Sequence, residues 1–326
     1  MRRVPFGTTG LELSAIGLGA FELGTGGHPG WAFDGEEPPS IERIDATIRA
    51  ALDAGVDWID TAEEYHAGGN EAMVGDALRR LGVGGHVALC TKLWPAPEGS
   101  GFDRDGVRHG IRASLERLGR DHVDLYLLHT IDDAVPIEET WAAMLEVQRE
   151  GLAQAVGLSN HERPSIERAG AVGPVGFVQD GLSMVDYPEN RELLAWCGQQ
   201  GIASQVYEPL GSSMLTGAIT RETDVERLWG GHLQEWSLFD RLFRGERFER
   251  SMAVVDGMRA LGEAWGATVP QLAIAWVLAQ PGVTTAIVGT TNPAHAAASA
   301  AAADLELTAE QVDQLESLVP LGPAFA

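Results

Sequence analysis

Val56-Asp57-Trp58-Ile59-Asp60-Thr61-Ala62-Glu63-Glu64-Tyr65-His66-Ala67-Gly68-Gly69-Asn70-Glu71 starts as a strand and ends as a helix. Val56, Trp58 and Ile59 favour a pleated, buried setting, and Asn70 reads as the cap of a helix over 70–81. Between the two runs a carboxylate, Asp60, and a phenol, Tyr65, share one strand-to-helix loop. Loops held by a rigid scaffold are where chemistry concentrates. A tyrosine, with an ordinary pKa of ~10, needs a nearby cation before it donates a proton readily at neutral pH. Asp60 is placed to hold such a cation.

The same strand–helix unit recurs outward from this stretch in both directions. Before it come a hairpin over residues 1–14 with its turn at Thr9-Gly10, a first core strand over 15–19, and a Gly/Pro-rich loop over 21–40. A helix over 40–54 follows, capped by Ser40, with Ile41, Ile44, Ile48 and Leu52 on one face. After it, strands are expected at 87–91, 123–128, 153–158, 175–179, 202–207 and 284–288. Helices are expected at about 104–118, 137–149, 161–170, 189–200, 251–265, 270–279, 293–303 and 308–318. With 15–19 and 56–60 the strands number eight, each separated from the next by helix. Repeated units of this kind argue a parallel sheet, and eight strands close a barrel. The whole chain, 1–326, is therefore read as a single α/β domain, a (β/α)8 TIM barrel with an N-terminal β-hairpin and long loops at the C-terminal face. An open doubly wound sheet would want a Gly fingerprint in its first turn; Gly17-Leu18-Gly19-Ala20 lacks the third glycine and the following helix.

Composition sets limits on function. A hydrophobic content of 44% with 21% charged residues supports a sizeable core. The net charge of −24 and pI near 4.6 argue against nucleic acid or an anionic membrane as partner, and no apolar run reaches the length of a membrane span. Residues 1–7 lack the apolar region of a signal peptide. Cys90 and Cys197 lie in apolar segments and read as buried thiols, so a cytoplasmic location is expected. No spacing of His, Cys or acidic residues suggests a metal site.

In (β/α)8 barrels the active site lies at the C-terminal ends of the strands, so polar residues at those ends are the candidates. They are Asp60 with Tyr65 beyond it, Lys92, His129, Ser159-Asn160, Gln179-Asp180, Tyr207-Glu208 and Gly289-Thr290-Thr291. Lys92 supplies the missing cation: paired with Asp60, it is expected to lower the Tyr65 pKa, with His129 adding a hydrogen bond for a carbonyl oxygen. Taken singly, Asp60 reads as a loop carboxylate, Lys92 as a surface lysine and His129 as a satisfied core histidine. Together at strand ends they read as a proton-donating site.

In their contexts, Val56-Asp57-Trp58-Ile59-Asp60-Thr61-Ala62-Glu63-Glu64-Tyr65, Cys90-Thr91-Lys92 and Asp124-Leu125-Tyr126-Leu127-Leu128-His129, these four residues resemble the catalytic tetrad of the aldo-keto reductase family. The start at Phe6-Gly7-Thr8-Thr9-Gly10, Val156-Gly157-Leu158-Ser159-Asn160, Tyr207-Glu208-Pro209-Leu210-Gly211 and Ile287-Val288-Gly289-Thr290-Thr291 are also similar to that family. The resemblance implies a barrel that binds NADPH across the strand ends. It implies Tyr65 as general acid, Lys92 and Asp60 lowering its pKa, and His129 orienting the carbonyl. Ser159, Asn160 and Gln179 match the residues that bind the nicotinamide carboxamide, and Tyr207 the aromatic that stacks on its ring. Leu210, Gly211 and Ser212 match the pyrophosphate segment. Thr290 matches a phosphate-contacting hydroxyl; independently, Gly289, Thr290 and Thr291 read as a cofactor-binding loop before a helix capped by Asn292 with Pro293 at its first position, a favourable anion site on physical grounds.

The adenosine end departs from the family pattern. His295, Ala298 and Ser299 stand where a basic residue and polar partners for adenine are usual, which leaves NADH open beside NADPH. Arg241, Arg244, Arg247 and Arg250 offer a clamp over the cofactor or a solvated helix face. Ser159-Asn160 has a rival reading as a helix cap, and His66, Trp31, Trp94 and Trp236 as pocket lining or loop packing.

The expected activity is reduction of an aldehyde or ketone, a small-molecule carbonyl substrate, by hydride transfer from NAD(P)H. Two alternatives stay open: a redox-neutral lyase or isomerase using the bound nicotinamide, and a nicotinamide-sensing regulatory subunit.

Overall fold

The computed structural model describes residues 1–24, 39–226 and 242–319. Strands β1 (Arg3–Pro5) and β2 (Glu12–Ser14) form an antiparallel hairpin, in which Phe6 N–H donates to Leu11 O at 2.8 Å across the turn. Eight further strands close a parallel barrel: β3 (Ile16–Gly19), β4 (Trp58–Asp60), β5 (Ala88–Leu93), β6 (Val123–Leu128), β7 (Ala153–Ser159), β8 (Phe177–Gly181), β9 (Ala203–Tyr207) and β10 (Thr285–Gly289). Each pairs with its sequence neighbour, and β10 closes on β3. The expected (β/α)8 barrel with an N-terminal hairpin is the observed fold.

Helices α1 (Ile41–Asp53), α2 (Gly69–Leu81), α3 (Arg104–Leu118), α4 (Ile137–Arg149), α5 (Arg163–Val172) and α6 (Asn190–Gln199) alternate with the strands. They are followed by α7 (Gly245–Trp265), α8 (Val269–Leu278), α9 (Pro293–Ala301) and α10 (Ala309–Glu316) among the described residues. Capping explains several starts. Ser40 accepts from Arg43 N–H, Asp103 from Gly106 N–H and Asn292 from Ala294 N–H, while Thr308 and Gln311 form a reciprocal capping box.

Four details differ from the sequence expectation. Asn70 is not a cap: the turn into α2 is made by Gly68 in the left-handed region. The Asn70 side chain is instead buried, donating to Ala20 O and accepting from Thr61 Oγ1, both at 2.7 Å, so a tertiary tie between β3, β4 and α2 overrides the capping preference. Ile41 is exposed, whereas Ile44 and Ile48 carry the buried face of α1. Helix α5 begins at Arg163 after Glu162, so neither Ser159 nor Asn160 caps it. Finally α7 begins at Gly245, six residues before the apolar pattern suggested, on the run Gly245-Glu246-Arg247-Phe248-Glu249-Arg250.

Two ends of the barrel have different jobs. Phe6 and Leu13 of the hairpin pack with Trp58, Cys90, Leu125, Leu127, Ala155, Phe177, Ala203 and Ile287 inside the barrel, closing the end where the strands begin. Phe6 and Phe177 lie 5.5 Å apart, and Trp58 Nε1 donates to Ser14 O at 3.0 Å, fixing the hairpin to the floor. Gly17 is required here, because the Trp58 ring lies where any Cβ would stand. A second, larger cluster fills the layer between barrel and helices. The open end is left to polar residues. No described helix is long and apolar enough to cross a membrane.

Candidate active site

The strand register lines up residues of neighbouring strands around the open end. Gly289 pairs with Gly19, Gly19 with Asp60, Ser159 with Gln179, and Gly181 with Tyr207. Lys92 on β5 stands beside Leu127 of β6, two residues beyond Cys90, the partner of Asp60, and so on the same face of the sheet as Cys90.

Lys92 is fully buried. Its ammonium donates to Asp60 Oδ1 at 2.5 Å, to Thr61 O at 2.8 Å and to the Tyr65 hydroxyl oxygen at 3.2 Å, using all three of its protons. Gln179 Nε2 donates to Asp60 Oδ2 at 2.9 Å and to Gln205 Oε1 at 3.0 Å. Asp60 is thus held from both sides, and the amide oxygen of Gln179 is left to accept. Burial alone would lower the Lys92 pKa, but Asp60 and the neighbouring Tyr65 raise it above the ordinary lysine value, so the group is a fixed cation.

Tyr65 behaves differently from expectation. Burial pushes its phenol above the ordinary range, and the opposing pull of Lys92 offsets only part of that rise, with Asp60 adding to it. The phenol is therefore firmly protonated, with a cation 3.2 Å from its oxygen. The edge of Phe21 meets its ring at 5.0 Å and that of His129 at 5.6 Å, which accounts for the dry surroundings. His129 is held far below its ordinary pKa by burial and by Lys92, so its imidazole is neutral, and its buried Nδ1 has no partner among the described residues. Trp94 stands edge-on to His129 at 5.0 Å.

Next to this group lies a second polar set. Asn160 has φ +62°, a left-handed value that asparagine tolerates better than most residues. Its amide donates to His129 O at 2.9 Å and lies 3.1 Å from Ser159 Oγ, while its carbonyl oxygen accepts from the Tyr207 hydroxyl at 2.7 Å. The rings of Tyr207 and Tyr187 meet edge-on at 5.8 Å. Beyond β9, Glu208, Gly211, Ser212 and Ser213 all have positive φ, so the chain turns tightly at Leu210-Gly211-Ser212. Ser212 Oγ is buried there with no partner among the described residues.

After β10, Thr290 Oγ1 accepts from Asn292 N–H at 3.0 Å, and Thr291 O accepts from Arg43 Nε at 2.8 Å and Thr47 Oγ1 at 3.1 Å. These bonds shape the turn into α9. His295 lies exposed on that helix, its Nε2 3.4 Å from Asn292 Nδ2. In the arginine run, Arg244 is the N-cap of α7 and Arg250 pairs with Glu246 at 2.6 Å on the same helix; Arg241, Trp31 and Trp236 lie outside the described residues. Among the described residues no group of His, Cys, Asp and Glu is placed to hold a metal ion.

The structure therefore gathers Asp60, Tyr65, Lys92 and His129 into one group, with Gln179, Asn160, Ser159 and Tyr207 adjoining it. Sequence reasoning missed Phe21 and Gln205, and it named Asp180 at a strand end without a role. Gln205 was legible in principle, since alternation along β9 turns Ala203, Gln205 and Tyr207 to one side.

The aldo/keto reductase family model matches residues 15–320. The chain belongs to the aldo/keto reductase family. It is 31% identical over 330 residues to the NADH-specific methylglyoxal reductase of Escherichia coli (strain K12), across 94% of this chain and 95% of that protein. It is 32% identical to the aldo-keto reductase YhdN of Bacillus subtilis (strain 168), across 97% and 95%. A solved aldo-keto reductase from Klebsiella pneumoniae in complex with NADPH is 27% identical, with TM-score 0.75, covering 100% of this chain and 98% of that one. This aldo/keto reductase is accordingly an oxidoreductase, and Asp60, Tyr65, Lys92 and His129 lie within the matched residues.

Proposed function

We propose that this enzyme reduces an aldehyde or ketone to an alcohol with NADH or NADPH, Tyr65 delivering the proton. The observation that carries the reading is the Lys92 ammonium, buried and shared between Asp60 Oδ1 and the Tyr65 hydroxyl. A reduced nicotinamide supplies the hydride when bound. The residues around the site fit such a group. Ser212 Oγ is an orphaned buried hydroxyl on a left-handed turn, and α9 presents its N-terminus beside Thr290 and Thr291, both suited to phosphate oxygens. Asn160, Ser159 and the free amide oxygen of Gln179 suit a carboxamide, and Tyr207 a flat ring.

In this reading the neutral His129 imidazole donates a hydrogen bond to the substrate carbonyl oxygen. Tyr65 transfers its proton to that oxygen as negative charge develops there. The phenolate left behind lies against Lys92, whose charge is most strongly felt in a dry site. Burial keeps Tyr65 protonated before the step, and the cation stabilises it afterwards. The E. coli relative is named NADH-specific and the Klebsiella structure holds NADPH. With His295 where a basic residue for a 2′-phosphate is usual, NADH is expected to bind at least as well as NADPH.

Two measurements test this. Quenching of tryptophan fluorescence by NADH and by NADPH should give comparable dissociation constants; binding of neither would remove the hydride-transfer reading. Tyr65→Phe should keep cofactor affinity while kcat falls by about 10²–10⁴, the usual worth of a general acid. Full kcat in that variant would remove Tyr65 from the role.

A further inference from the structure

We propose that Asp180 is a positioning residue for the nicotinamide end of this site, acting through the backbone of Asn160. The proposal rests on the assignment of Asn160 to the cofactor given above. Phe177 lies inside the barrel and Gln179 reaches Asp60 there, so alternation along β8 turns Asp180 outward, toward the helix layer. It is buried, with 3% of its surface exposed, on a strand otherwise apolar or engaged in the site.

From behind the barrel wall, Asp180 Oδ1 accepts from the Asn160 N–H at 3.1 Å, a proton also shared with Gln179 O at 3.3 Å. That N–H belongs to the residue with φ +62°. A left-handed asparagine at this point sends its side chain back across the strand ends, where it meets Tyr207, His129 and Ser159. One carboxylate outside the barrel therefore fixes the residue that ties three site groups together.

Asp180 Oδ2 is buried and has no partner among the described residues. Burying a carboxylate oxygen without a partner costs free energy. Burial pushes the Asp180 carboxyl up to about 7 from 3.8, with the Asn160 N–H opposing. Among the described residues, the titratable groups that sense Asp180 are the Cys197 thiol of α6, pushed up to about 12, and the Tyr207 phenol of β9, pushed well above its ordinary range; both are uncharged near neutral pH. His161, the residue after Asn160, is buried and its imidazole is held below the usual value, its Nδ1 2.8 Å from Ser159 O.

A carboxyl whose folded pKa is raised contributes most to stability below its unfolded pKa, here about 4, and loses that contribution as pH rises through about 7. At pH 8 the charged Asp180 thus weakens the fold while giving Asn160 a charge-assisted hydrogen bond, about twice as strong as a neutral one. Positioning and stability pull in opposite directions at this residue. That opposition separates the proposal from a purely structural role.

The test uses the full chain and three variants: Asp180→Asn, Asn160→Ala and the double change. Asp180→Asn keeps an oxygen for the Asn160 N–H and removes the charge. At pH 8 it should melt at a higher temperature than the parent yet bind NADH about fivefold more weakly, the difference between a charged and a neutral hydrogen bond. At pH 6 the two affinities should converge. In the Asn160→Ala background the same change should have no further effect on affinity. Unchanged affinity at pH 8, or an effect that persists without the Asn160 side chain, overturns the proposal.

A second readout needs no cofactor. In 15N-labelled protein the Asn160 amide resonance should shift with a midpoint near pH 7, and the shift should vanish in Asp180→Asn. Absence of that titration overturns the positioning contact itself. A titrating amide in a protein that binds neither NADH nor NADPH would instead overturn the cofactor reading, and this proposal with it.

Discussion

Tyr65 and His129 owe their character to opposite responses to the same dry environment. Burial disfavours charge on each, so the phenol is held protonated and the imidazole neutral, while Lys92 pulls the phenol back and pushes the imidazole further down. His129 therefore does not titrate across the pH range in which its free side chain would. The shape of the kcat–pH profile between pH 6 and 8 should be the same in His129→Gln as in the parent, even if the height falls. A limb that disappears in the variant would mean that His129 changes charge during turnover. Its depressed pKa also makes His129 a stabilising neutral group above about pH 6.5, with that contribution lost as pH falls below this value. Asp60, Tyr65, Lys92 and His129 were legible because a charged or polar side chain stands out at the end of an apolar strand. The balance at Tyr65 was not, since it depends on Phe21 and His129 rings brought from elsewhere in the chain. Asp180 was visible as a residue, but its direction behind the barrel wall was not.

The loop between β5 and α3 shows how an element is held in place against the site. Glu63 accepts from Trp94 N–H at 3.0 Å and Ser100 N–H at 3.1 Å, and also from the Ser100 hydroxyl, so its two oxygens hold both ends of the loop. Gly99 is packed so tightly on Trp94 that a Cβ would lie 2.4 Å from the Trp94 carbonyl oxygen. The result is the edge of Trp94 against His129. Glu63→Ala should free this loop at a cost of about 1–3 kcal/mol in local order. The KM for the carbonyl substrate is expected to rise about tenfold, as 1.4 kcal/mol implies, with the dissociation constant for NADH unchanged. Equal loss of cofactor binding would show that the loop belongs to the cofactor cleft. At this scale strands and helices were legible from period and caps, and most ends fell within two residues of expectation. Asn70 shows where the reading stopped: a residue favoured as a cap took a buried tertiary tie, because Gly68 already turned the chain. Nothing in the local pattern separates those two uses.

Across the whole molecule, a net charge of −24 faces an anionic cofactor in the proposed reaction. Screening should therefore help. Raising ionic strength from about 0.01 M to about 0.15 M shortens the Debye length from about 30 to about 8 Å, and the NADH association rate measured by stopped flow should increase. A rate that falls would show that the helix N-terminus near Thr290 dominates the approach. The barrel itself was the most legible feature, because eight strand–helix units have one common closed solution and no nucleotide fingerprint competes with it. The register of that barrel has a consequence for how the chain tolerates change in length. Asp60, Lys92, Ser159, Gln179 and Tyr207 each reach the site because their strand has not slipped. A one-residue deletion inside β5 would present Thr91 or Leu93 to the barrel interior in place of Lys92, while the same deletion at the Gly84-Gly85 turn, where no neighbour lies within 4 Å of either glycine's Cβ position, would be absorbed. Length variation in descendants of this sequence should gather outside the strands, and substitutions inside them should conserve parity.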